Sequence, residues 1–187
     1  PAPRPPARAA RAPHGTRSAL ARSTAAACAP LVTAALADGS DHRIEARLKS
    51  YQEVPAVSSG ASGRFKASLD KASGSLHYEL SYSGLEGDVR QAHIHMGQRG
   101  VNGGIMLWLC QTATNPSPVA STPQCPQSGS VSGVISTADV IGPVGQGVAA
   151  TEFAEAVAAI RGGVTYVNVH SSKFPGGEIR GQLRDDD

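Results

Sequence analysis

The sequence predicts an all-β fold, an antiparallel sandwich or barrel with one short helix. From Arg43 onward, apolar and polar residues alternate far more often than apolar residues recur at the helical period of about 3.6. Short stretches rich in glycine, serine, aspartate and proline interrupt this alternation. A single segment, 151–163, has helical spacing instead.

Eight segments carry the strand pattern. In 63–70, for example, Phe65, Ala67 and Leu69 fall on one face, as expected for a half-buried strand. The sequence DKASG between the second and third segments predicts a hairpin. The predicted strands cover residues 43–50, 63–70, 74–84, 91–96, 103–110, 129–136, 165–172 and 177–183.

The helix is predicted over TEFAEAVAAIRGG, residues 151–163. Phe153, Val157 and Ile160 lie on one helical face, Thr151 can cap the first turn, and two consecutive glycines end it. We expect this helix to cross one end of the sandwich. The sequence RDDD at the end of the chain is predicted to be a solvated acidic tail.

Residues 1–37 are predicted to be a signal or targeting segment or a disordered extension, and residues 38–187 to form the domain. The first part has five arginines and no acid, then small apolar residues from about Ser23, then Ala35-Leu36-Ala37, an A-x-A cleavage pattern. Its apolar run of about 15 residues is too short to cross a bilayer. These features predict an exported protein, secreted or periplasmic.

The charge distribution argues against a nucleic-acid partner. From Asp38 onward the chain has 12 basic and 15 acidic residues, so the domain is mildly acidic. Its cations are scattered along the sequence, whereas nucleic-acid binding needs a clustered basic face. No other segment is apolar for long enough to span a membrane. The charge distribution is compatible with a protein partner.

Two cysteines, Cys110 and Cys125, remain after the predicted signal. An even number of cysteines in an exported protein favours a disulfide over two free thiols. The bridge would close a loop of about 15 residues, which the chain-entropy model values at roughly 3 kcal/mol.

The histidines in QAHIHM and TYVNVHSS predict a metal site. Alternation places His93 and His95 on one side of a strand, with Ala92 and Ile94 facing the core, and puts His170 on the outward face of a later strand. We expect all three rings to be exposed. If the two strands are neighbours, the rings form a three-nitrogen site for copper or zinc, and an oxidising compartment favours copper(II). The alternative is a solvated polar strand face that holds no ion.

Three stretches together resemble the CHRD domain, named after chordin and found in many exported bacterial proteins: YQEVPAVSSGASGRFKASLD, AHIHMGQRGVNGGIMLWL and GVTYVNVHSSKFPGGEIRGQL. The resemblance covers about Arg43 to Arg184. It implies an immunoglobulin-like β-sandwich, distantly similar to copper/zinc superoxide dismutases. In those enzymes an H-x-H strand and a later histidine ligate copper, so the resemblance implies His93, His95 and His170 as ligands.

Two departures from the dismutases narrow this expectation. Between His95 and His170 no histidine or cysteine pair suits a separate zinc ion, so a bridged copper and zinc centre is not expected. Arg180 stands near the place of the arginine that attracts superoxide, although an ion pair with Glu178 is its favoured role. The sequence therefore predicts an exported binding module, with copper or no cofactor, and a copper-only dismutase as the alternative.

Overall fold

The alternating segments form nine β-strands in the computed structural model, which describes residues 42–186 of the chain. All pairs of neighbouring strands are antiparallel. Strands β1–β8 correspond to the eight predicted segments. The strands are β1 His42–Lys49, β2 Ser62–Asp70, β3 Ser75–Ser83, β4 Val89–Met96, β5 Gly104–Cys110, β6 Gly129–Ile135, β7 Thr165–Ser171, β8 Ile179–Gln182 and β9 Arg184–Asp186; the helix is α1 Phe153–Arg161, and short 3-10 helices cover Ser50–Gln52, Thr137–Asp139 and Val144–Gln146.

One continuous sheet contains all nine strands, in the order β5-β4-β7-β8-β1-β2-β3-β6, with β9 paired to β1. The outermost strands of this order, β5 and β6, contact each other, so the sheet nearly closes around an apolar core. Fully buried members of that core include Leu48, Phe65, Leu80, Ile94 and Leu107. The predicted all-β class with one short helix is confirmed. The strands form one nearly closed sheet.

The sequence DKASG forms the predicted hairpin between β2 and β3. Asp70 Oδ1 accepts a hydrogen bond from the N–H of Ala72 at 2.8 Å, which closes the turn. Gly74 has a φ of 62°, a conformation that glycine adopts without strain. The resulting register pairs Leu69 with Leu76 and keeps both in the core.

The predicted helix forms, but it begins differently from the prediction. Helix α1 buries Ala156, Ala159 and Ile160, and Glu152 rather than Thr151 precedes its first turn. Thr151 lies in the left-handed region, with a φ of 69°, and one residue further from the helix. Its hydroxyl therefore does not cap the helix, because an N-cap needs extended backbone geometry at the flanking position.

The acidic end of the chain is not a solvated tail as far as residue 186. Residues Arg184–Asp186 form β9, and Arg184 pairs in register with Glu45 of β1. The Asp185 carboxylate lies 3.7 Å from Nε of Arg161, and the Asp185 side chain is only 6% exposed. The prediction was wrong because a charged edge strand of three residues has no period-two apolar signal.

The predicted disulfide joins Cys110, the last residue of β5, to Cys125 across a separation of 15 residues. Beside the bridge, the Gln111 N–H donates to Pro123 O at 2.9 Å, and the Cys125 N–H donates to Gln111 O at 2.8 Å. The bridge and these bonds fix both ends of a loop that has few apolar residues to bury.

None of the helices within residues 42–186 is long and apolar enough to cross a bilayer. The targeting segment predicted for residues 1–37 lies outside the described residues. The domain boundary at Asp38 stays a prediction.

Candidate metal centre

Strand pairing brings the three predicted histidines together. Strand β4, which carries His93 and His95, pairs with β7, which carries His170. The register sets Gln91 opposite His170 and Asn168 opposite His93, so the three rings form a diagonal cluster on one face of the sheet. His93 Nδ1 lies 3.2 Å from His170 Nε2. One nitrogen from each ring lies within 4.8 Å of the other two.

The cluster is buried, so the prediction that these rings are exposed was wrong. The exposed fraction is 0% for His93, 7% for His95 and 6% for His170. The predicted alternation itself is correct, since Ala92 and Ile94 lie in the apolar core on the opposite face. The outward face is buried because loops fold over it.

Two loops supply backbone carbonyl groups that contact the cluster. Gly103 O lies 2.9 Å from His95 Nδ1, and Pro175 O lies 2.9 Å from His170 Nδ1. Gly103 is required here, because a Cβ at this position would overlap the Met96 carbonyl group. The glycine-rich turn thus lets the backbone approach a histidine, as its composition suggests.

These carbonyl contacts determine which ring nitrogens face the cluster. A carbonyl only accepts, so Nδ1 carries the proton in His95 and in His170, and each neutral ring presents its Nε2 lone pair to the cluster. Buried Nε2 atoms of His93 and His95 have no hydrogen-bond partner. His170 Nε2 also lies 3.0 Å from Asn168 Oδ1. A cation would stabilise the converging lone pairs on Nε2 of His95, Nε2 of His170 and Nδ1 of His93, whose Nε2 would then carry the proton.

Burial also keeps the three imidazoles neutral. It lowers the pKa of His93 to about 2 and that of His95 to about 4, and it lowers the pKa of His170 as well. For His93, the neighbouring histidines act in the same direction. Neutral imidazole is the form that donates a lone pair to a metal ion.

The donor atoms fit a transition-metal cation. Imidazole nitrogens bind zinc at about 2.0 Å, so two of them on one tetrahedral ion lie about 3.3 Å apart. The 3.2 Å between His93 Nδ1 and His170 Nε2 matches that separation. His95 would complete the set after a small ring movement. Within residues 42–186 no other group of three histidine, cysteine or carboxylate ligands meets the same distance limit.

Arg180 holds the turn that covers His95. Its guanidinium donates to Gln98 O at 3.1 Å, to Val101 O at 2.7 Å and to Asn102 Oδ1 at 3.1 Å. Its central carbon lies 3.3 Å from the ring centroid of Tyr166. This buried cation therefore helps to hold the covering turn in place.

Neither predicted role of Arg180 holds. No ion pair joins it to Glu178 in the described part of the chain; Glu178 Oε1 instead accepts from the Glu86 N–H at 2.8 Å. Glu178 precedes the first residue of β8, so the strand alternation assumed for the pair does not extend to it. Arg180 is only 2% exposed, so it does not present its charge to solvent, where it would attract superoxide.

Three residues around the cluster were not predicted. Tyr166 stacks on His95 with ring centroids 4.8 Å apart, and Trp108 packs edge-on against His93 at 4.3 Å. Tyr166 lies four residues before His170 on β7 and therefore on the same face of the strand, a pattern that could have predicted its position beside the cluster. The orientation of Trp108 depends on irregularities in the β4–β5 register, which the sequence pattern does not encode.

Glu53 is the third unpredicted residue, a buried carboxylate close enough to Arg180 to be affected by its charge. It is 5% exposed, and its Oε1 atom has no hydrogen-bond partner. Burial raises the pKa of Glu53 to about 7, against a smaller opposing effect of the Arg180 charge. Because the folded state favours the protonated form, the contribution of Glu53 to stability is fully present below its ordinary pKa of 4.5 and is lost as the pH rises to about 7.

We expect Glu53→Gln to become more stable relative to the wild type as the pH rises. Between about pH 5 and pH 7.5 the wild type should lose about 2 kcal/mol relative to the variant, because glutamine mimics the protonated carboxyl group and does not titrate. Urea denaturation at both pH values measures this difference. The buried histidines are common to both proteins, so their effect on the free energy of unfolding cancels from the difference. Glu155→Gln, an exposed carboxylate change, is the control, and a difference that does not depend on pH would contradict the expectation.

The fold and the site define a class of protein: an all-β domain with a buried cluster of three neutral imidazoles. The model of the CHRD domain matches residues 44–183. The chain therefore belongs to the CHRD domain family. No curated protein and no solved structure matches the chain, so the likeness to dismutases depends on the motifs alone.

Proposed function

We propose that this CHRD domain is an exported binding module that holds one copper ion through His93, His95 and His170. The observation that carries the proposal is the convergence of three neutral imidazoles, with backbone carbonyls directing two Nε2 lone pairs into the cluster. When bound, copper would supply a redox-active, Lewis-acidic centre. Among divalent first-row ions, copper binds nitrogen ligands most tightly, and three imidazoles favour it over magnesium or calcium.

Export is part of the same proposal. The Cys110–Cys125 disulfide is typical of oxidising compartments, in which copper is present as copper(II). Residues 1–37 would act as the export signal and residues 38–187 as the mature domain. A protein partner of the module would bind on the loops or the outer face of the sheet.

The copper-only dismutase is the less favoured function. A dismutase gains from an exposed cation that attracts its anionic substrate, whereas Arg180 is buried and donates to three oxygen acceptors of the covering turn. A superoxide assay on the copper-loaded chain separates the two functions. Turnover that depends on His93 and His170 would favour the enzyme, whereas its absence would leave a carrier or structural site.

We expect the full chain to retain about one copper ion after incubation with copper(II) and dialysis, and His93→Ala/His95→Ala to retain less than about 0.2, because two of three ligands are lost. Elemental analysis gives the stoichiometry. Trp108 is the only tryptophan in the chain and lies against His93, so bound copper should quench its fluorescence in proportion to occupancy.

His77→Ala is the matched control, since this exposed histidine lies on β3, which pairs with β2 and β6 and not with the strands of the cluster. It should bind as the wild type does. Thermal melts verify that each variant folds, and His170→Gln provides a second test if the double variant does not. Equal copper content in the wild type and in the folded cluster variants would refute the site. Zinc retained in place of copper would show that the site binds zinc.

A further inference from the structure

Strand pairing collects cations that are scattered in the sequence onto one outer face of the sheet. Alternation in β1 and β2 points their basic residues away from the core, and Arg47 pairs in register with Arg64. Arg184 joins from β9, opposite Glu45. Arg99, from the turn that covers the cluster, lines a hollow of about 380 Å³ with Arg47 and Arg184. We call this surface the basic face; its exposed cations are Arg43, Arg47, Lys49, Arg64, Lys66, Arg99 and Arg184.

The basic face has too few acids to neutralise it. Seven of the 12 basic residues after Asp38 lie here. The carboxylates with described side chains on the same strand faces are Glu45, Asp70 and Glu79, and Asp70 is already bonded to Ser73 in its own turn. Glu45 is already bonded to Arg64, whose Nη2 lies 2.7 Å from Glu45 Oε2.

Several of the remaining cations are left without a carboxylate partner. No described residue forms an ion pair with Arg47, Arg99 or Arg184. Burial lowers the pKa of Arg180 and the charge of Arg99 acts in the same direction, so like charges approach each other at this end of the face. In a domain with more acids than bases, such a concentration of unpaired guanidinium groups is suited to an anionic ligand.

Hydroxyl groups continue the basic face onto β3 and β6, where Arg64 pairs with Ser81 and Ser81 pairs with Ser130. A second hollow, of about 520 Å³, lies between Arg47, Lys49 and Arg64. The serines that line it are Ser62, Ser81, Ser83, Ser128 and Ser130. Guanidinium groups bind carboxylates through paired hydrogen bonds, and serine hydroxyls both donate to and accept from alcohols. Cations on β1 and β2 therefore lead into hydroxyls on β3 and β6, on a surface that is open to an extended chain.

We propose that the basic face binds an acidic polysaccharide, a chain of sugars that bear carboxylates. Its cations match the sugar carboxylates, and its serines match the sugar hydroxyls. A single-stranded nucleic acid would require aromatic rings on which bases stack, and the lining of the two hollows contributes Tyr82 alone, which is buried. This binding would not depend on the histidine cluster, so it stands apart from the proposed copper function.

The test measures binding of the full chain to immobilised polygalacturonate in low and in moderate salt. We expect Arg47→Gln/Lys66→Gln/Arg184→Gln to weaken binding about tenfold, and the wild-type affinity to fall as salt screens the charges. The matched control, Lys71→Gln/Arg90→Gln/Lys173→Gln, removes the same charge from outside the face and should change affinity less than about twofold. The arginines of residues 1–37 are common to all these proteins and do not affect the comparison.

Comparison ligands separate sugar recognition from general attraction to anions. We expect Ser81→Ala/Ser130→Ala to weaken binding to polygalacturonate about fivefold and to leave binding to polyglutamate unchanged, because only the sugar offers alcohols to the serines. Equal losses in the two triple variants would overturn the assignment of the face. Equal affinity for polyglutamate, duplex DNA and polygalacturonate would overturn the choice of ligand. A change in sedimentation of the basic-face variant alone would show that the face binds a second copy of the chain.

Discussion

Arg180→Leu should lower the free energy of unfolding by about 3 kcal/mol, because it removes a buried cation that donates three hydrogen bonds to the covering turn. The guanidinium of Arg180 donates to two backbone carbonyls, of Gln98 and Val101, and to the side chain of Asn102. Leucine preserves much of the apolar volume and supplies no donor. The loss also removes the cation above the Tyr166 ring and leaves the nearby Glu53 carboxylate without its opposing charge.

Urea denaturation near pH 7 measures this loss, with Arg184→Leu as the matched control. Arg184 is an exposed arginine on β9 with no ion pair to any described residue, so its replacement should cost less than about 0.5 kcal/mol. If the two variants had equal stability, Arg180 would not hold the covering turn. The same turn supplies the Gly103 carbonyl to His95, so the folded Arg180 variant should also bind copper more weakly.

The strands could be predicted because burial on one side leaves a period-two pattern in the sequence. In β2, Phe65, Ala67 and Leu69 face the core while Arg64 and Lys66 face solvent. Strand β9 could not be found in this way, because it is an edge strand of three residues with no apolar member. The cap at Thr151 failed for a different reason, since Thr151 has a positive φ that threonine rarely adopts and that the sequence pattern does not indicate.

The members of the histidine cluster could be predicted, but their environment could not. Alternation places His93, His95 and His170 on the outer side of their strands, and strand pairing brings them together. Their burial depends on loops around Gly103 and Pro175, whose positions carry no periodic signal. The prediction equated the outer side of the sheet with the surface, which holds only where no loop covers it.

The basic face, like the burial of the histidines, could not be predicted from the sequence. Arg47 and Arg64 are far apart in sequence, and only the β1–β2 register makes them neighbours. Arg99 and Arg184 reach the same hollow from a turn and from β9. A count of charges along the chain gives a mildly acidic domain, but it cannot show that one face is strongly basic.

Removing the disulfide with Cys110→Ala/Cys125→Ala should cost about 3 kcal/mol, because the bridge closes a loop of about 15 residues and thereby restricts the unfolded chain. The corresponding fall in melting temperature is about 10 °C for a domain of this size. Cys110 is fully buried at the end of β5, so alanine avoids placing a new polar group in the core.

Calorimetry or thermal circular dichroism of the oxidised wild type, the reduced wild type and the double variant measures this loss. The two proteins without the bridge should melt together, because an entropic effect of the bridge does not depend on how it is removed. The copper site should survive in the variant at temperatures well below its melting point. The hydrogen bond and ring contacts of the three histidines involve neither Cys110 nor Cys125. A melting temperature equal to that of the oxidised wild type would mean that the hydrogen bonds of the loop order it without the bridge.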